Sequence, residues 1–332
     1  MDTMVDLEQR IRRLREKLLY RRHLVCDGMS DGRLRAAVAQ RDLVRVLHGS
    51  FMPRSAWEGL REEDRLLVRT LAHAHMHPDS GAVYSHHSAA VVWRLPLYAN
   101  RDERVHVLTR LSSRGRSSAS VIRHALEYDE DEIVEIAGLR VTNITRTLLD
   151  IARQSSVELS VACADAGLRM LFGASRVGGS PVSEWRGAQL ERLDAWRSRP
   201  GVARARRVIA FADPRADSVA ESVSRLQFAR LRLEVEIQVR VVGPRGRAYR
   251  LDFEFPGQRA FGEVDGAVKY ESPEFLRGRT PLQALLDEKE REDQVRGVTG
   301  NRIVRWMPRE AATARRLGER MLAFGLRVPA LE

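Results

Sequence analysis

The sequence has few cysteines, no long apolar run and almost no lysine. Cys26 and Cys163 lie far apart and show no metal-ligand spacing, which favours a reducing, cytoplasmic setting over a cysteine metal site. No run of about 18 apolar residues occurs, which excludes a membrane-spanning helix. The first residues, MDTMVDLEQRIRRLREK, lack the apolar core of a secretory signal, so we expect no such leader.

Arginine supplies nearly all of the positive charge. Of the 56 basic residues, 53 are arginine, and the three lysines are Lys17, Lys269 and Lys289. The net charge is +11 and the pI is near 10.4. A basic, arginine-rich surface favours nucleic acid as the partner. The alternative is a compositional drift toward arginine with no bound partner.

The most informative stretch is YRLDFEFPGQRAFGEVDGAVKY, from Tyr249 to Tyr270. Apolar and polar residues alternate on both sides of Pro256-Gly257, which predicts two strands joined by a tight turn. Because side chains two apart share a sheet face, one face of the first strand is predicted to carry Tyr249, Leu251, Phe253 and Phe255.

Acidic residues gather on this predicted hairpin. If it closes, Asp252 on the first strand faces Glu263 and Asp265 on the second. Three neighbouring carboxylates repel one another unless a cation lies between them, and clustered oxygens suit Mg²⁺ or a similar ion such as Mn²⁺. The sequence therefore predicts a divalent-metal site held by Asp252, Glu263 and Asp265.

Residues 1–55 are predicted to form a winged helix-turn-helix domain. Helical apolar spacing over 6–24 precedes a turn, after which Ser30 or Asp31 can cap a helix over Gly32–Ala39. A strand, a turn and a second strand follow up to Met52. Such a recognition helix enters the major groove while flanking charges meet phosphates. The predicted DNA-binding residues on this helix and wing are Arg33, Arg35, Arg41 and Arg45. The alternative is a small helical cap that packs on the rest of the protein.

The middle of the chain is predicted to contain a mixed α/β domain over 56–172 and a helical linker over 173–216. Five of the nine histidines fall within residues 73–87. Their spacing fits no standard zinc pattern and no cysteine joins them. We therefore interpret the histidines of this segment as structural or surface residues and not as metal ligands.

The pattern of residues 217–332 predicts a helix, three antiparallel strands, a helix and a strand, which is the order αβββαβ. A final helix over Glu310–Leu322 follows. This order resembles the PD-(D/E)XK nuclease fold of restriction endonucleases, and within it the branch related to very-short-patch-repair (Vsr-like) endonucleases. The motifs that carry the resemblance are Asp252, Gly262-Glu263-Val264-Asp265-Gly266, Glu288-Lys289-x-Arg291-x-Asp293 and Arg302-Ile-Val-Arg-Trp306. It covers about Asp217–Leu322.

The resemblance implies a Mg²⁺-dependent endonuclease, a hydrolase of phosphodiester bonds. Asp252 and Glu263 would hold the metal, and Asp265 would be a third ligand or orient the attacking water. A nearby lysine would stabilise charge that builds on the phosphate. Glu221 on the opening helix and Gln238 on the first strand are accessory candidates that could reach the same face.

The chain departs from the family pattern at one catalytic position. Asp265 lies two residues after Glu263, where the family usually has lysine. The related branch often has histidine six residues after the glutamate, and this chain has Lys269 there. Lys269, or Lys289 from the following helix, would have to replace the missing group. The alternative is a fold kept for binding after catalysis was lost.

A second, looser resemblance covers residues 20–170 and involves the AbiEi-type antitoxin and transcriptional-regulator family. Its motifs are Tyr84-Ser-His-His-Ser-Ala-Ala90, Trp93-Arg-Leu-Pro96 and Arg146-Thr-Leu-Leu-Asp150. The resemblance implies operator binding through the winged helix and restraint of a partner nucleotidyltransferase toxin protein.

Three functions compete. The first is a DNA-binding protein with a metal-dependent endonuclease domain, and this is the function that we favour from the sequence. The second is a non-catalytic antitoxin or transcriptional repressor that retains an inactive nuclease fold. The third is a protein-interaction module whose acids form a solvated patch.

Overall fold

The structure is a computed structural model that describes residues 2–110, 117–174, 180–265 and 280–331. The chain divides into two units. The first comprises Met1–Gly167 and Ala188–Ala210, and the second comprises Leu168–Gly187 and Phe211–Glu332. Helices and three β-sheets build the described chain, which confirms the predicted α/β class. The finer division at residues 55, 172 and 216 stays a prediction. No helix within these ranges has the length and apolar character needed to cross a membrane.

The first unit begins with three helices and a small antiparallel sheet of order β1-β3-β2. The elements are α1 (Asp2–Glu16), β1 (Leu19–Tyr20), α2 (Arg21–Cys26), α3 (Asp31–Ala39), β2 (Leu43–Leu47) and β3 (Ser50–Pro53). Ser30 caps α3 by accepting a hydrogen bond from the backbone N–H of Arg33. The single helix predicted over 6–24 is wrong, because Leu19 and Tyr20 leave the helical path to pair with β3.

A five-stranded mixed sheet of order β6-β5-β4-β8-β7 lies in the rest of the first unit. Its strands are β4 (Val83–Tyr84), β5 (Val105–Thr109), β6 (Val121–Ala125), β7 (Ile133–Ile136) and β8 (Leu139–Thr142). The helices of this part of the chain are α4 (Arg54–Glu58), which contacts β2 and β3 of the small sheet, α5 (Glu62–Met76), α6 (His86–Val92) and α7 (Ile144–Gln154). Between β5 and β6, residues 111–116 lie outside the described residues.

Helices α8 (Val157–Phe172), α9 (Ser180–Ala195) and α10 (Val202–Phe211) follow. Both α8 and α9 cross from one unit to the other. Two helices, α9 and α10, lie within the predicted helical linker over 173–216. The helix breaks between α9 and α10 at Pro200 and Gly201, because proline has no backbone N–H and Gly201 takes a left-handed φ of 83°.

The second unit carries a four-stranded sheet of order β12-β11-β10-β9. In chain order its elements are α11 (Val219–Arg230), β9 (Glu236–Val242), β10 (Ala248–Phe255), β11 (Ala260–Val264), α12 (Pro281–Thr299), β12 (Arg302–Trp306) and α13 (Ala314–Ala323). The first three strands are antiparallel, and β12 is parallel to β11. A parallel neighbour requires a crossover, and the chain between β11 and β12 includes α12. The elements follow the order expected from the sequence.

Both faces of this sheet are packed, and β10 contributes to both. Phe253 and Phe255 pack with Phe228 of α11 in one cluster, whereas Tyr249 and Leu251 pack with Val295 of α12 in another. The prediction that these four β10 residues share one face is therefore wrong. The change occurs at Asp252, beside Gln238 of β9, whose φ of 55° interrupts the regular strand geometry.

Candidate functional site

The register of the second unit's sheet lines up one polar residue from each strand. The β9–β10 pairs on either side place Gln238 opposite Asp252. The paired residues of β10 and β11 end one step before Asp252, so Glu263 is the next residue in line with it. Glu263 in turn pairs with Arg305 in the parallel β11–β12 ladder. Polar residues therefore form a row across the sheet.

Asp252 lies where β10 and β11 stop pairing through their backbones. The last pair is Phe253 with Gly262. Beyond it, Oδ2 of Asp252 accepts a hydrogen bond from the backbone N–H of Val264 at 2.9 Å. The carboxylate of Asp252 thus replaces the backbone carbonyl that would otherwise accept from this N–H. The bond holds Asp252 at the point where the two strands separate.

Glu221, in the first turn of α11, is buried beside Asp252. Its Oε1 accepts from the Ser218 hydroxyl at 2.9 Å, and its Oε2 accepts from the backbone N–H of Asp217 at 2.9 Å. Burial and the negative charge of Asp252 raise the pKa of Glu221 to about 7, although its hydrogen bonds act in the opposite direction. Two carboxyl groups therefore face each other at a site that disfavours two negative charges.

Gln238 connects β9 to this carboxyl pair. Its Nε2 donates to Oε2 of Glu221 at 2.6 Å. Its Oε1 is buried and has no hydrogen-bond partner among the described residues. Buried amide oxygens are nearly always satisfied, so an unpartnered one beside two carboxyl groups indicates room for a donor or a cation.

Arg291 of α12 holds Glu263 from the adjoining helix. Its Nη2 donates to both carboxylate oxygens of Glu263, at 2.6 and 2.7 Å. The same nitrogen contacts Glu288 at 2.6 Å. Glu263 is only 7% exposed, and burial raises its pKa while Arg291 and Arg305 oppose that rise. A carboxylate buried to this degree requires such a partner.

Arg305 of β12 gathers the remaining acids. It contacts Glu263 at 2.8 Å, Asp265 at 2.9 Å and Glu292 at 3.0 Å, and it also pairs with Glu288. Burial alone would raise the pKa of Glu288, but hydrogen bonds from the two arginines hold it at about 2. Two guanidinium groups thus contact four carboxylates. We call these six residues the arginine–carboxylate cluster (Glu263, Asp265, Glu288, Glu292, Arg291 and Arg305).

The three predicted metal ligands lie on one sheet but belong to two groups. Asp252 joins Glu221 and Gln238, whereas Glu263 and Asp265 belong to the arginine–carboxylate cluster. Within the described ranges, ligand oxygens of Asp252, Glu263 and Asp265 do not all approach within 4.8 Å of one another. The accessory candidates Glu221 and Gln238 are therefore nearer partners of Asp252 than the sequence indicated.

The structure describes one of the two candidate lysines, and it points away from this arrangement. Lys269 lies outside the described residues. Lys289 is exposed and lines a groove on α12 with Asp293 and Val298. Glu288 and Arg291, three residues apart, lie on the side of the helix that contributes to the arginine–carboxylate cluster. One residue along a helix turns a side chain by about 100°, which accounts for the different direction of Lys289.

Arg291 and Arg305 are functional candidates for which the sequence predicted no role. Both occur in motifs that carried the nuclease resemblance. The spacing of Glu288 and Arg291 is a helical ion-pair signal, and Arg305 alternates with the buried Val304 and Trp306 along β12. Their convergence on Glu263 depends on packing between α12 and two strands, which local patterns do not specify.

The predicted DNA-binding arginines lie on α3, just after it and on β2 in the first unit. Leu34 of α3 is buried, and the residues on either side of it, Arg33 and Arg35, are exposed. Arg41 and Arg45 are exposed as well. Among the described residues, these four guanidinium groups form no hydrogen bond or ion pair, so they are available to an external anion.

Comparison with known proteins gives relatives of low sequence identity. No protein-family model matches the chain. Uncharacterized protein MT2308 from Mycobacterium tuberculosis (strain CDC 1551 / Oshkosh) is 31% identical over 154 residues, which cover 46% of this chain and 53% of the relative. Uncharacterized protein Rv2248 from strain ATCC 25618 / H37Rv gives the same values. The chain thus spans about half the length of the curated relatives that it matches.

Proposed function

We propose that this chain binds DNA and that its second unit hydrolyses phosphodiester bonds with a divalent metal ion. The observation that carries this proposal is the apposition of Glu221 and Asp252 beside the unpartnered Oε1 of Gln238. The order of helices and strands around them, with β12 parallel to β11, agrees with the resemblance to the PD-(D/E)XK fold.

The residues beside Asp252 fit a hard divalent cation such as Mg²⁺ or Mn²⁺. All of the available donors are oxygens, two from carboxyl groups and one from an amide, as such cations prefer. We assign the ion to Asp252, Glu221 and Gln238, because the negative charges of Glu263 and Asp265 are already paired with arginine. When bound, the ion would polarise the scissile phosphate and lower the pKa of an attacking water.

DNA binding is supported by the first unit. Its helix and strand order, with α2 and α3 followed by the β2–β3 hairpin, agrees with a winged helix-turn-helix. Four exposed arginines without described partners lie on or next to α3 and on β2. The net charge of +11 adds a general attraction for phosphate.

The test is cleavage by the purified full chain. With Mg²⁺ or Mn²⁺, we expect nicking or cleavage of supercoiled plasmid. Asp252→Asn and Glu221→Gln should each slow the reaction by at least about 100-fold, because each removes a metal-binding charge. The matched control is Asp293→Asn, the same chemical change at an exposed position of α12. Its rate should equal that of the wild type.

Two results would contradict the proposal. One is a folded wild-type chain that cleaves neither duplex nor single-stranded DNA with either metal. The other is cleavage that survives Asp252→Asn, which would trace the activity to a contaminant or to another site.

A second candidate function is a non-catalytic DNA-binding regulator, and the arginine–carboxylate cluster favours it. Arg291 occupies both oxygens of Glu263, and no described lysine reaches the acids. A regulator would bind its operator and a partner protein, such as a nucleotidyltransferase toxin, without cleaving DNA. Salt-sensitive operator binding together with no metal uptake in a calorimetric titration would support this function over the first.

A further inference from the structure

Three histidines to which no role was assigned above meet in the first unit. His86 begins α6, His106 lies on β5 and His124 lies on β6. One ring nitrogen from each lies within 4.8 Å of those of the other two, which makes these the described residues whose ligand atoms could hold one metal ion. Only His86 belongs to the histidine-rich segment 73–87, so the sequence did not indicate this group.

The local structure explains how the three histidines meet. Strands β5 and β6 are parallel, and Leu108 lies opposite His124. His106 is two residues from Leu108, so His106 and His124 share a face of the sheet. His86 has a left-handed φ of 48°, an uncommon conformation for a residue other than glycine. Such backbone strain is more frequent at functional sites than elsewhere.

Buried ring nitrogens in this cluster are left without partners. Nε2 of His86 and Nε2 of His106 are buried and accept or donate no hydrogen bond among the described residues. The neighbouring His87 has an unpartnered Nδ1, while its Nε2 lies 2.8 Å from the Ser155 hydroxyl. A buried polar atom without a partner is unfavourable. An ion bound at Nε2 of His86 would satisfy that atom.

The distances are close to those of ligands on one metal. Nδ1 of His106 lies 3.0 Å from Nε2 of His124. Metal–nitrogen bonds of about 2.0–2.1 Å in a tetrahedral site put ligand nitrogens roughly 3.3 Å apart. The rings of His86 and His124 stack at 3.6 Å, so joint coordination requires the His124 ring to turn out of this stack. His124 is half-buried and lies on the edge strand β6.

The surroundings favour neutral imidazole, the form that binds metal. Burial lowers the pKa of His106 to about 2 and that of His124 to about 4, and it holds the pKa of His86 well below its ordinary value. Nδ1 of His86 lies 3.0 Å from the Ser85 hydroxyl, which leaves Nε2 for a ligand. A carboxylate oxygen of Asp102 lies 3.8 Å from Nε2 of His106, too far for a hydrogen bond in this structure.

We propose that His86, His106 and His124 bind one transition-metal ion of the Zn²⁺ class, through Nε2, Nδ1 and Nε2 respectively. The site ties the start of α6 to the β5–β6 edge of the sheet. Its fourth position is open to water or to Nδ1 of His87. This site uses nitrogen ligands and lies in the first unit, so it is independent of the oxygen-lined site proposed at Asp252.

The test measures metal uptake by the full chain after chelation and desalting. Titration with Zn²⁺ should show one ion per chain at this site and a higher unfolding temperature. Co²⁺ should give the visible absorption of a tetrahedral nitrogen site. His124→Ala should weaken Zn²⁺ binding by at least about 100-fold, because even outer partners of metal ligands are worth about 10–100-fold. His124→Gln serves as a second, less disruptive variant.

Matched controls separate this site from others. His48 is exposed, and His48→Ala should leave Zn²⁺ binding unchanged. Asp252→Asn should also leave it unchanged, so a failed nuclease proposal would not affect the result. The proposal is overturned if the wild type takes up neither Zn²⁺ nor Co²⁺. It is equally overturned if the folded His124 variants bind as tightly as the wild type, since the three rings would then be a metal-free packing cluster.

Discussion

Arg305 lies beside Glu263 in the parallel β11–β12 ladder, and its guanidinium contacts that carboxylate at 2.8 Å. This pair anchors the arginine–carboxylate cluster against the sheet. Glu263 is buried, and an ion pair at such a position is weak evidence for stability by itself. Removing Arg305 is costly, however, because it leaves Glu263 with Arg291 alone and takes a charge partner from Asp265 and Glu292.

Arg305→Gln is therefore expected to destabilise the second unit by about 1.5–3 kcal/mol, the range for lost hydrogen bonds to charged groups. The substitution removes the positive charge that Glu263, Asp265 and Glu292 share. Urea unfolding followed by circular dichroism measures the change. Arg309→Gln, the same replacement at an exposed position, should stay within about 0.5 kcal/mol of the wild type. Equal losses in both variants would mean that the cluster contributes nothing specific.

The stability of the metal-free chain should depend on Glu221 between pH 4.5 and 7. The folded-state pKa is about 7, against an ordinary value of 4.5. The folded state binds the proton more tightly, so this stabilisation is present below pH 4.5 and is lost as the pH rises to 7. In buffer with a chelator, the free energy of unfolding of Glu221→Gln should rise relative to that of the wild type by up to about 3 kcal/mol as the pH increases across this range. A pH-independent difference would contradict burial of an ionisable Glu221.

Binding of duplex DNA should weaken with salt and depend on the exposed arginines of α3. Arg33→Ala and Arg35→Ala should each reduce the slope of log K against log salt by about 1, provided that each guanidinium contacts one phosphate. Fluorescence anisotropy at several NaCl concentrations gives these slopes. Arg309→Ala removes the same charge from the second unit and should leave the slope unchanged. If all three variants behave alike, the binding depends on net charge and not on α3.

Gly201 should tolerate no side chain. Its φ is 83°, and an added Cβ would lie 2.0 Å from the backbone oxygen of Arg153. Gly201→Ala is expected to destabilise the first unit by about 2–4 kcal/mol, measured by thermal or urea unfolding. Gly187→Ala is the matched control, because a Cβ there meets no atom within 4 Å and the position lies within α9. There alanine should stabilise by about 0.5–1 kcal/mol.

Most elements of the fold could be predicted because their signals are local. The alternation around Pro256-Gly257 predicted the β10–β11 hairpin, and Ser30 was named as a possible cap of α3. The predictions failed where distant contacts override a local pattern. Leu19 and Tyr20 continue a helical apolar period, yet they pair with β3, some 30 residues later in the chain.

The candidate sites were less predictable than the elements that carry them. The sequence indicated Asp252, Glu221 and Gln238 as candidates, but placed Asp252 with Glu263 and Asp265. It did not predict that arginines would neutralise the latter two. The histidine cluster could not be predicted, because His86, His106 and His124 are widely spaced along the chain and converge only through β5–β6 pairing and the start of α6.

The sequence by itself determined the α/β class, the element order of the second unit, the arginine-rich charge and the acidic hairpin. These depend on composition and on periods of two or 3.6 residues. Only the tertiary structure decided which charges meet: Glu221 with Asp252, Arg305 with Glu263, and His106 with His124. The physical reason is that electrostatic and ligand interactions depend on distance in space, which strand register and helix packing set between residues far apart in the chain.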